Sequence, residues 1–466
     1  MMSGLGGRAV VVSVAVAMFL GSGCSQPQAP PAGGTAATPP AQVVTGSPAA
    51  TPPAPVAPSP TPVPATPPAP PPRPSTAHAD DVQAAKARVA AIGSGAKFSP
   101  AAGDLLTEIV IPNGSGLTAD DLALFGKLSD LEKLQIKDFR ALNDEMAAKL
   151  SGLKGLTSLA LTNSAITDAT VEMIAQSFPK LTDLNLSSNT NMTNNVVKIV
   201  SQMSQLQQLV LVQNRVNDIG ARKLSKLHAL RVLDLRGNME AGDSSLKVVA
   251  ALPKLTAFKH RSTAVTDTGL ESLSSNQTLD SLLMQDFNVT DSSGPFLAKL
   301  GKLTQLEIFR CQGFGSAGVR SLKGMPLTRL TLRDLPNVND GGMEVLADLP
   351  KLRRLFLHEL SSVSDAGLKN LASLQSLEQL DLWSIPQMTD ATVDLIVALP
   401  KLKELGIRST GVTDATIDKL LGMKHLQTLT FKDNPAVTEA AVKKLTTRQW
   451  AKLTLGSPAG EAADAP

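Results

Sequence analysis

Apolar and polar positions alternate in one short phrase that recurs along most of the chain, from residue 106 to residue 455. The phrase has the form L-x-x-L-x-L, with other apolar residues at some positions, and it begins at residues 106, 131, 156, 181, 206, 230, 255, 279, 303, 327, 352, 377, 402, 426 and 450. Each copy begins 24 or 25 residues after the previous one. A fixed period of this length predicts a solenoid, in which stacked repeats share one long core.

The repeat that begins at Leu377 shows how each unit is predicted to fold. Leu380 and Leu382 lie two positions apart, so on a strand they point to the same side, into the core. A loop then leads to Thr389-Asp390 and to apolar residues three or four positions apart, which predict a helix of about ten residues with one inward face. Both Thr and Asp are favourable at a helix N-terminus, so we expect the recurrent aspartates to cap their helices. The equivalent aspartates are Asp168, Asp218, Asp267, Asp365, Asp390 and Asp414.

The predicted architecture is an α/β solenoid of horseshoe shape, with about fifteen parallel strands on the concave face and helices on the convex face. Residues 106–456 form the solenoid. Residues 80–105, with a helix from Asp80 to Ile92 and a short strand around Lys97-Phe98, are expected to cap its N-terminal end. Trp450, Leu453 and Leu455 are expected to form the last strand.

These repeats resemble the leucine-rich repeat superfamily, and the V-T-D-x-G-L phrase from Val265 to Leu270 is similar to its cysteine-containing, F-box-like subfamily. That subfamily is known from F-box substrate adaptors and from many bacterial envelope proteins. The resemblance covers residues 80–456 and implies a protein-recognition scaffold without catalytic residues. The ninth position of each repeat departs from the family, because it varies between Asn and large apolar residues. A continuous ladder of asparagines is therefore not expected.

The first 23 residues have the pattern of a signal peptide. Arg8 precedes an apolar run from Ala9 to Leu20, which is too short to span a membrane. Gly21-Ser22-Gly23-Cys24 resembles a bacterial lipobox, although Leu20 lies one position further from the cysteine than is usual. The resemblance implies an exported protein of the cell envelope (outer membrane or periplasm) that is anchored by a lipid on Cys24. Cleavage at the small residues and release of the chain is the alternative.

Residues 24–79 have a different composition from the repeats. Nineteen of the chain's 32 prolines lie between Pro27 and Pro74, mixed with Ala and Thr, and Arg73 is the only charged residue between Ser25 and Ala79. Such a segment predicts a disordered, extended spacer, with a Pro-rich recognition motif as the alternative. Residues 457–466 are expected to be a disordered tail.

Composition narrows the classes of function. The net charge is +3 with no strongly basic block, so no nucleic-acid partner is expected. Of the two cysteines, Cys311 lies at the ninth position of its repeat, where we expect it to pack in the structure rather than to react. No catalytic or phosphate-binding motif is present, and His358-Glu359 lacks the second histidine of a zinc helix. We therefore expect neither an enzyme nor a cofactor or metal site.

The alternation within the hexad also identifies the side chains that face away from the core. In the later repeats these positions become aromatic and basic, and adjacent strands bring them together. We predict a ligand-binding patch formed by Phe309, Arg329, Arg333, Arg354, Phe356, His358, Asp381, Trp383 and Arg408. Arg and Trp are common at interface hot spots, so the favoured ligand is a protein or peptide. The alternative is binding to cell-wall or surface polysaccharide, with Trp383 and Phe356 as stacking platforms.

Overall fold

The structure is a computed structural model that describes residues 76–93 and 95–456. All of these residues belong to one compact unit. The predicted signal peptide (residues 1–23), the lipidation site at Cys24, the spacer up to residue 75 and the tail (residues 457–466) lie outside the described residues.

A single sheet of sixteen strands runs through the molecule, and its strand order is the order of the chain. The first strand is antiparallel to the second, and every later pair is parallel, which confirms the fifteen parallel strands predicted from the hexads. The strands are β1 Lys97–Ser99, β2 Glu108–Ile111, β3 Lys133–Ile136, β4 Ser158–Leu161, β5 Asp183–Asn185, β6 Gln208–Val210, β7 Val232–Asp234, β8 Ala257–Arg261, β9 Ser281–Gln285, β10 Gln305–Phe309, β11 Arg329–Arg333, β12 Arg354–His358, β13 Gln379–Ile385, β14 Glu404–Thr410, β15 Thr428–Lys432 and β16 Lys452–Leu455. Trp450, predicted in the last strand, lies just before it.

The helices alternate with the strands along the chain. They are α1 Thr76–Ile92, α2 Ala119–Phe125, α3 Asp144–Ala148, α4 Asp168–Ser177, α5 Asn195–Val200, α6 Asp218–Ala221, α7 Asp243–Ala250, α8 Asp267–Leu273, α9 Gly294–Ala298, α10 Ser316–Arg320, α11 Asp340–Met343, α12 Asp365–Leu368, α13 Asp390–Val397, α14 Ala415–Gly422 and α15 Glu439–Lys444. Short 3₁₀ helices lie at Arg222–Lys226, Asp291–Ser293, Glu344–Asp348, Lys369–Ser373 and Leu445–Thr447. Helix α4 has the predicted ten residues, but α6, α11 and α12 have four each and continue as 3₁₀ turns. A 3₁₀ turn advances further per residue, which returns the chain to the sheet within its 24- or 25-residue period.

The core is one continuous apolar cluster from Val82 in α1 to Leu445 after α15. The predicted inward positions of the hexad are buried, as shown by Leu380 and Leu382, which have no exposed surface. Helix α1 begins four residues before the predicted Asp80 and places Val82, Ala85 and Val89 against the first repeat. Burial of these apolar side chains holds α1 against the end of the solenoid.

The recurrent aspartates do not cap their own helices, so that prediction was wrong. Thr389 caps α13, because its hydroxyl accepts a hydrogen bond from the backbone N–H of Ala391. The carboxylate of Asp365, at the start of α12, instead accepts bonds from Thr389 in the next repeat, from its backbone N–H at 3.0 Å and its hydroxyl at 2.6 Å. We call each such contact an aspartate bridge. Further bridges join Asp144 to Thr167, Asp168 to Thr193, Asp243 to Thr266, Asp267 to Thr290, Asp340 to Ser364, Asp390 to Thr413 and Asp414 to Thr438.

A bridge is possible because the first residue of each helix lies beside the loop of the following repeat. Asp365 also accepts a hydrogen bond from the hydroxyl of Thr392. Burial opposes ionisation of this carboxyl, but the bonds from Thr389 and Thr392 outweigh it and lower its pKa. The ionised carboxylate therefore holds neighbouring repeats together on the side of the molecule opposite to the exposed face of the sheet.

The eighth position of most repeats, directly after the last outward strand position, has a left-handed backbone. Examples are Asp138, Asn163, Ser188, Asp286, Arg310, Asp334, Glu359, Ser384, Ser409 and Asp433, with φ between 51° and 61°. Short polar residues adopt this conformation more readily than long ones, so Arg310 and Glu359 are unusual here. In most repeats the strand ends just before this residue, whereas β13 and β14 continue past it to Ile385 and Thr410.

Within residues 76–93 and 95–456, no helix has the combination of length and apolar character that a membrane span requires.

Candidate interaction surface on the exposed face of the sheet

Five outward side chains from consecutive strands meet in register at the predicted patch. Phe309, Arg333, His358, Trp383 and Arg408 are the seventh-position residues of β10 to β14, and each is the direct parallel partner of the next. Adjacent strands lie about 4.8 Å apart, so these side chains form one contiguous row. We call this row the arginine–aromatic ladder.

The guanidinium groups of the ladder stack on its aromatic rings. Arg333 Cζ lies 4.5 Å from the ring centroid of Phe309 and 5.0 Å from that of Trp383, so its side chain extends past the intervening β12. Arg408 Cζ lies 5.0 Å from the same Trp383 ring. Trp383 is thus approached by guanidinium groups from strands on both sides of its own. These distances are within the range of cation–π attraction, which holds the long arginine side chains in fixed positions.

His358 connects this row to the residues beside it. Its ring lies edge-on to Trp383, with centroids 5.6 Å apart, and edge-on to Phe356, with centroids 6.1 Å apart. Its Nε2 lies 3.2 Å from the Oδ2 of Asp381. In this contact the ring nitrogen donates and the carboxylate accepts, which fixes the orientation of the imidazole.

Asp381 is the acidic centre of the patch. Its Oδ2 accepts a hydrogen bond of 2.6 Å from Nη2 of Arg408 as well as the contact from His358. Burial opposes ionisation of this carboxyl, but the bonds and charges of His358 and Arg408 outweigh it and lower its pKa. Asp381 is therefore ionised and bridges two members of the ladder.

Gly406 makes room for the Asp381 carboxylate and was not found from the sequence. It occupies the outward fifth position of β14, directly beside Asp381 in the register. A Cβ atom at Gly406 would lie 2.1 Å from Oδ1 of Asp381, so any side chain there would displace the carboxylate. The signal was present in the sequence, because a glycine inside a strand often marks a close approach by another group. A shallow hollow of about 190 Å³, lined in part by Gln379, Asp381 and Gly406, lies next to this contact.

Arg329 and Arg354 form a basic edge to the patch. They are direct partners in β11 and β12, so two positive side chains lie side by side. Arg329 stacks over Phe356, with its Cζ 5.0 Å from the ring centroid. Within residues 76–93 and 95–456, neither arginine has a carboxylate within ion-pair distance. The hydroxyl of Thr331, on the same outward side of β11, is buried and has no hydrogen-bond partner among these residues.

The eighth-position residues contribute to the patch in a way that sequence reasoning missed. Arg310 Cζ lies 4.8 Å from the Phe309 ring centroid, so Phe309 contacts both Arg310 and Arg333. Arg310 is held by Asp286, and Arg333 Nη2 lies 3.1 Å from Oε1 of Glu359. These contacts could not be predicted from the hexad, because the eighth position, where the backbone is left-handed, lies after its six residues.

All nine predicted patch residues therefore lie on one surface, and each has a described contact or a direct register partner in it. In the part of the chain that the structure describes, no group of three or more His, Cys, Asp or Glu side chains is arranged to hold a metal ion.

No protein-family model matches the sequence, and no curated protein is significantly similar to it. Solved structures with similar folds include the yeast Rad7–Elc1 complex, with a TM-score of 0.51 and 17% identity over 81% of this chain and 92% of the other. An internalin of Listeria monocytogenes has a TM-score of 0.45 and 20% identity, over 71% of this chain and 94% of the other. A leucine-rich repeat protein of Leptospira interrogans has a TM-score of 0.42 and 20% identity, over 70% and 83%.

At these identities the likeness concerns the fold alone. It agrees with the parallel sheet, the alternating helices and the period of the chain.

Proposed function

We propose that this leucine-rich repeat protein is a recognition scaffold without catalytic activity, and that it binds a protein or peptide ligand at the arginine–aromatic ladder. The observation that carries the proposal is that Arg329, Arg333 and Arg408 stack on three aromatic rings on the outward side of the sheet. Arg354 lies beside Arg329 in the register and adds a fourth positive charge. Arg and Trp are over-represented among residues that dominate binding energy at protein interfaces.

The contacts within the ladder favour ligand binding because they hold its arginine side chains in fixed conformations before a ligand arrives. Stacking and ion pairing already fix the side chains of Arg333 and Arg408, so less conformational entropy is lost when a ligand binds. The basic edge at Arg329 and Arg354 favours acidic groups on the ligand, because these two guanidinium groups have no ion-pair partner within the described residues.

The alternative ligand, a cell-wall or surface polysaccharide, has less support. Sugars stack on an open aromatic face, but guanidinium groups approach Trp383 from the strands on both sides of it, and Arg329 stacks on Phe356. Sedimentation with purified cell wall separates the two possibilities. A protein-binding scaffold stays in the supernatant, whereas a polysaccharide-binding protein sediments.

The test of the ladder is crosslinking and pull-down from envelope extracts with the wild type and an Arg333→Glu variant. The matched control is Lys137→Glu, because Lys137 is the seventh-position residue of an early repeat and undergoes the same change of charge. We expect a partner that is lost with Arg333→Glu and retained with Lys137→Glu. The proposed site is contradicted if all three proteins capture the same partners while circular dichroism shows that all three are folded.

We further propose that the protein is exported to the cell envelope and anchored by a lipid on Cys24, with residues 25–75 as a spacer. The support is the sequence pattern alone: the short apolar run, the small residues before Cys24 and the proline-rich composition. The test is fractionation of cells that express the wild type or a Cys24→Ser variant. We expect the variant to leave the membrane fraction, and unchanged membrane association contradicts the anchor.

A further inference from the structure

Among the residues that the structure describes, none covers the C-terminal end of the solenoid as α1 and β1 cover the N-terminal end. Strand β16 pairs with β15 on one side, and no described strand pairs with its other edge. Leu453 and Leu455 occupy core-facing positions of β16 but are only half-buried, whereas Leu429 and Phe431 in β15 are at most 2% exposed. At the other end, α1 and β1 cover the first repeat.

An apolar hollow of about 670 Å³ opens at this end. Phe431, Val437, Val442 and Leu455 contribute apolar side chains to it. A free strand edge beside exposed core residues is an attachment point for another chain, because its N–H and C=O groups remain available for pairing. Terminal repeats of solenoids normally cover their core with polar residues, but here Leu453 and Leu455 stay partly exposed.

We propose that a second copy of this chain covers the C-terminal end through a two-fold axis at β16. Such an axis pairs β16 with the β16 of the second copy in antiparallel orientation and continues the sheet from one molecule into the other. It also places the two α15 helices antiparallel to each other on the same side of the joined sheet. The half-buried leucines of both copies then share one core.

The charges on the outward side of α15 fit such a self-pairing. Glu439, Val442 and Lys443 of α15 line the hollow, and both Val442 and Lys443 lie three or four residues after Glu439, so the three share one side of the helix. Glu439 and Lys443 are both exposed, and neither takes part in an ion pair within residues 76–93 and 95–456. In an antiparallel pair of helices, Glu439 of each molecule lies opposite Lys443 of the second copy. The charged surface of α15 in one copy is therefore complementary to the same surface in the second copy.

The proposal is tested by sedimentation equilibrium of the full chain, its Glu439→Lys variant, its Lys443→Glu variant and an equimolar mixture of the two variants. We expect the wild type to be a dimer, with twice the mass of the 48.7 kDa chain. Each variant alone places like charges opposite each other at two symmetric contacts, which should weaken dimerisation about tenfold or more. In the mixture every contact again joins opposite charges, so the dimer should return as a heterodimer.

Several outcomes overturn the proposal. The first is a wild type that stays monomeric at about 100 µM, a concentration well above the dissociation constants of stable dimers. In that case something other than a second copy covers this end, such as residues 457–466 of the same chain. Single variants that dimerise as strongly as the wild type, or a mixture that stays monomeric, also contradict it. Both residues are exposed, so the variants should fold normally, which circular dichroism checks. An Arg333→Glu variant serves as a control and should remain dimeric.

Discussion

Asp365 accepts two hydrogen bonds from Thr389, which lies 24 residues later at the start of the next helix. The same relationship joins many other consecutive repeats. These repeats are therefore joined to the next in two places, by leucines in the core and by the aspartate carboxylate. The threonine fills two roles, because it caps its own helix and donates to the preceding repeat.

Replacing Asp365 with Asn should lower the free energy of unfolding by about 1.5–3 kcal/mol, the range for hydrogen bonds to charged groups. The amide lacks the negative charge and has a single oxygen to accept the three donors that Asp365 serves. Urea unfolding followed by circular dichroism measures the change. Asp394→Asn is the control, because the Asp394 side chain is 62% exposed and its ion pair with Lys419 should contribute less than about 1 kcal/mol. Equal effects of both substitutions would contradict a special role for the bridge.

Acid should weaken the bridges. Burial opposes ionisation of Asp144, Asp267, Asp365 and Asp390, but hydrogen bonds outweigh it and lower the pKa of each in the folded protein. A carboxyl with a lowered folded pKa stabilises the protein fully above its unfolded pKa, near 4, and loses that contribution as the pH falls through the folded pKa.

We therefore expect the difference in stability between the wild type and Asp365→Asn to be constant from pH 7 to about 5 and to shrink below pH 4. Urea unfolding at a series of pH values measures it. A difference that persists unchanged at pH 2 means that the bridge does not depend on ionisation of Asp365.

Gly406→Ala should disturb the ladder more than the fold. The new methyl group displaces the Asp381 carboxylate, which then loses its contacts with Arg408 and His358. Because the displaced group is the end of a side chain, we expect a loss of about 1–2 kcal/mol in stability but a clear loss of partner binding. Gly422→Ala is the control, because outside its own helix and chain neighbours no atom lies within 4 Å of the added methyl group. It should lower neither stability nor partner binding, since alanine is the better helix former.

Cys311 should be inert in the folded protein. It is fully buried, and burial raises the pKa of its thiol to about 12, so the reactive thiolate is scarce at neutral pH. In a Cys24→Ser variant, a thiol-specific chromogenic reagent should react with Cys311 only after urea unfolding. Fast reaction of the native protein would show that the core opens at this repeat.

The hexad was sufficient to predict the strands, their parallel order and the buried leucines, because each of these follows from the period of apolar positions. It also predicted which outward side chains lie next to one another on adjacent strands, since register in a parallel sheet follows from that period. It could not predict that Arg333 extends past His358 to reach Trp383, because that contact depends on side-chain conformation. The bridge from Asp365 to Thr389 was missed for a related reason: both residues suit a helix N-terminus, and only their spatial arrangement shows which one caps.

The bridge also bears on how such a chain changes in length over generations. Because the acceptor and the donor occupy the same positions in all the bridged repeats, an aspartate of one bridged repeat meets an equivalent threonine or serine in any other. Gain or loss of a whole 24- or 25-residue unit between such repeats, by duplication or deletion in the gene, therefore leaves both new neighbours correctly joined. The outward residues of the sheet can then diverge from one descendant to another while the joints between repeats stay the same.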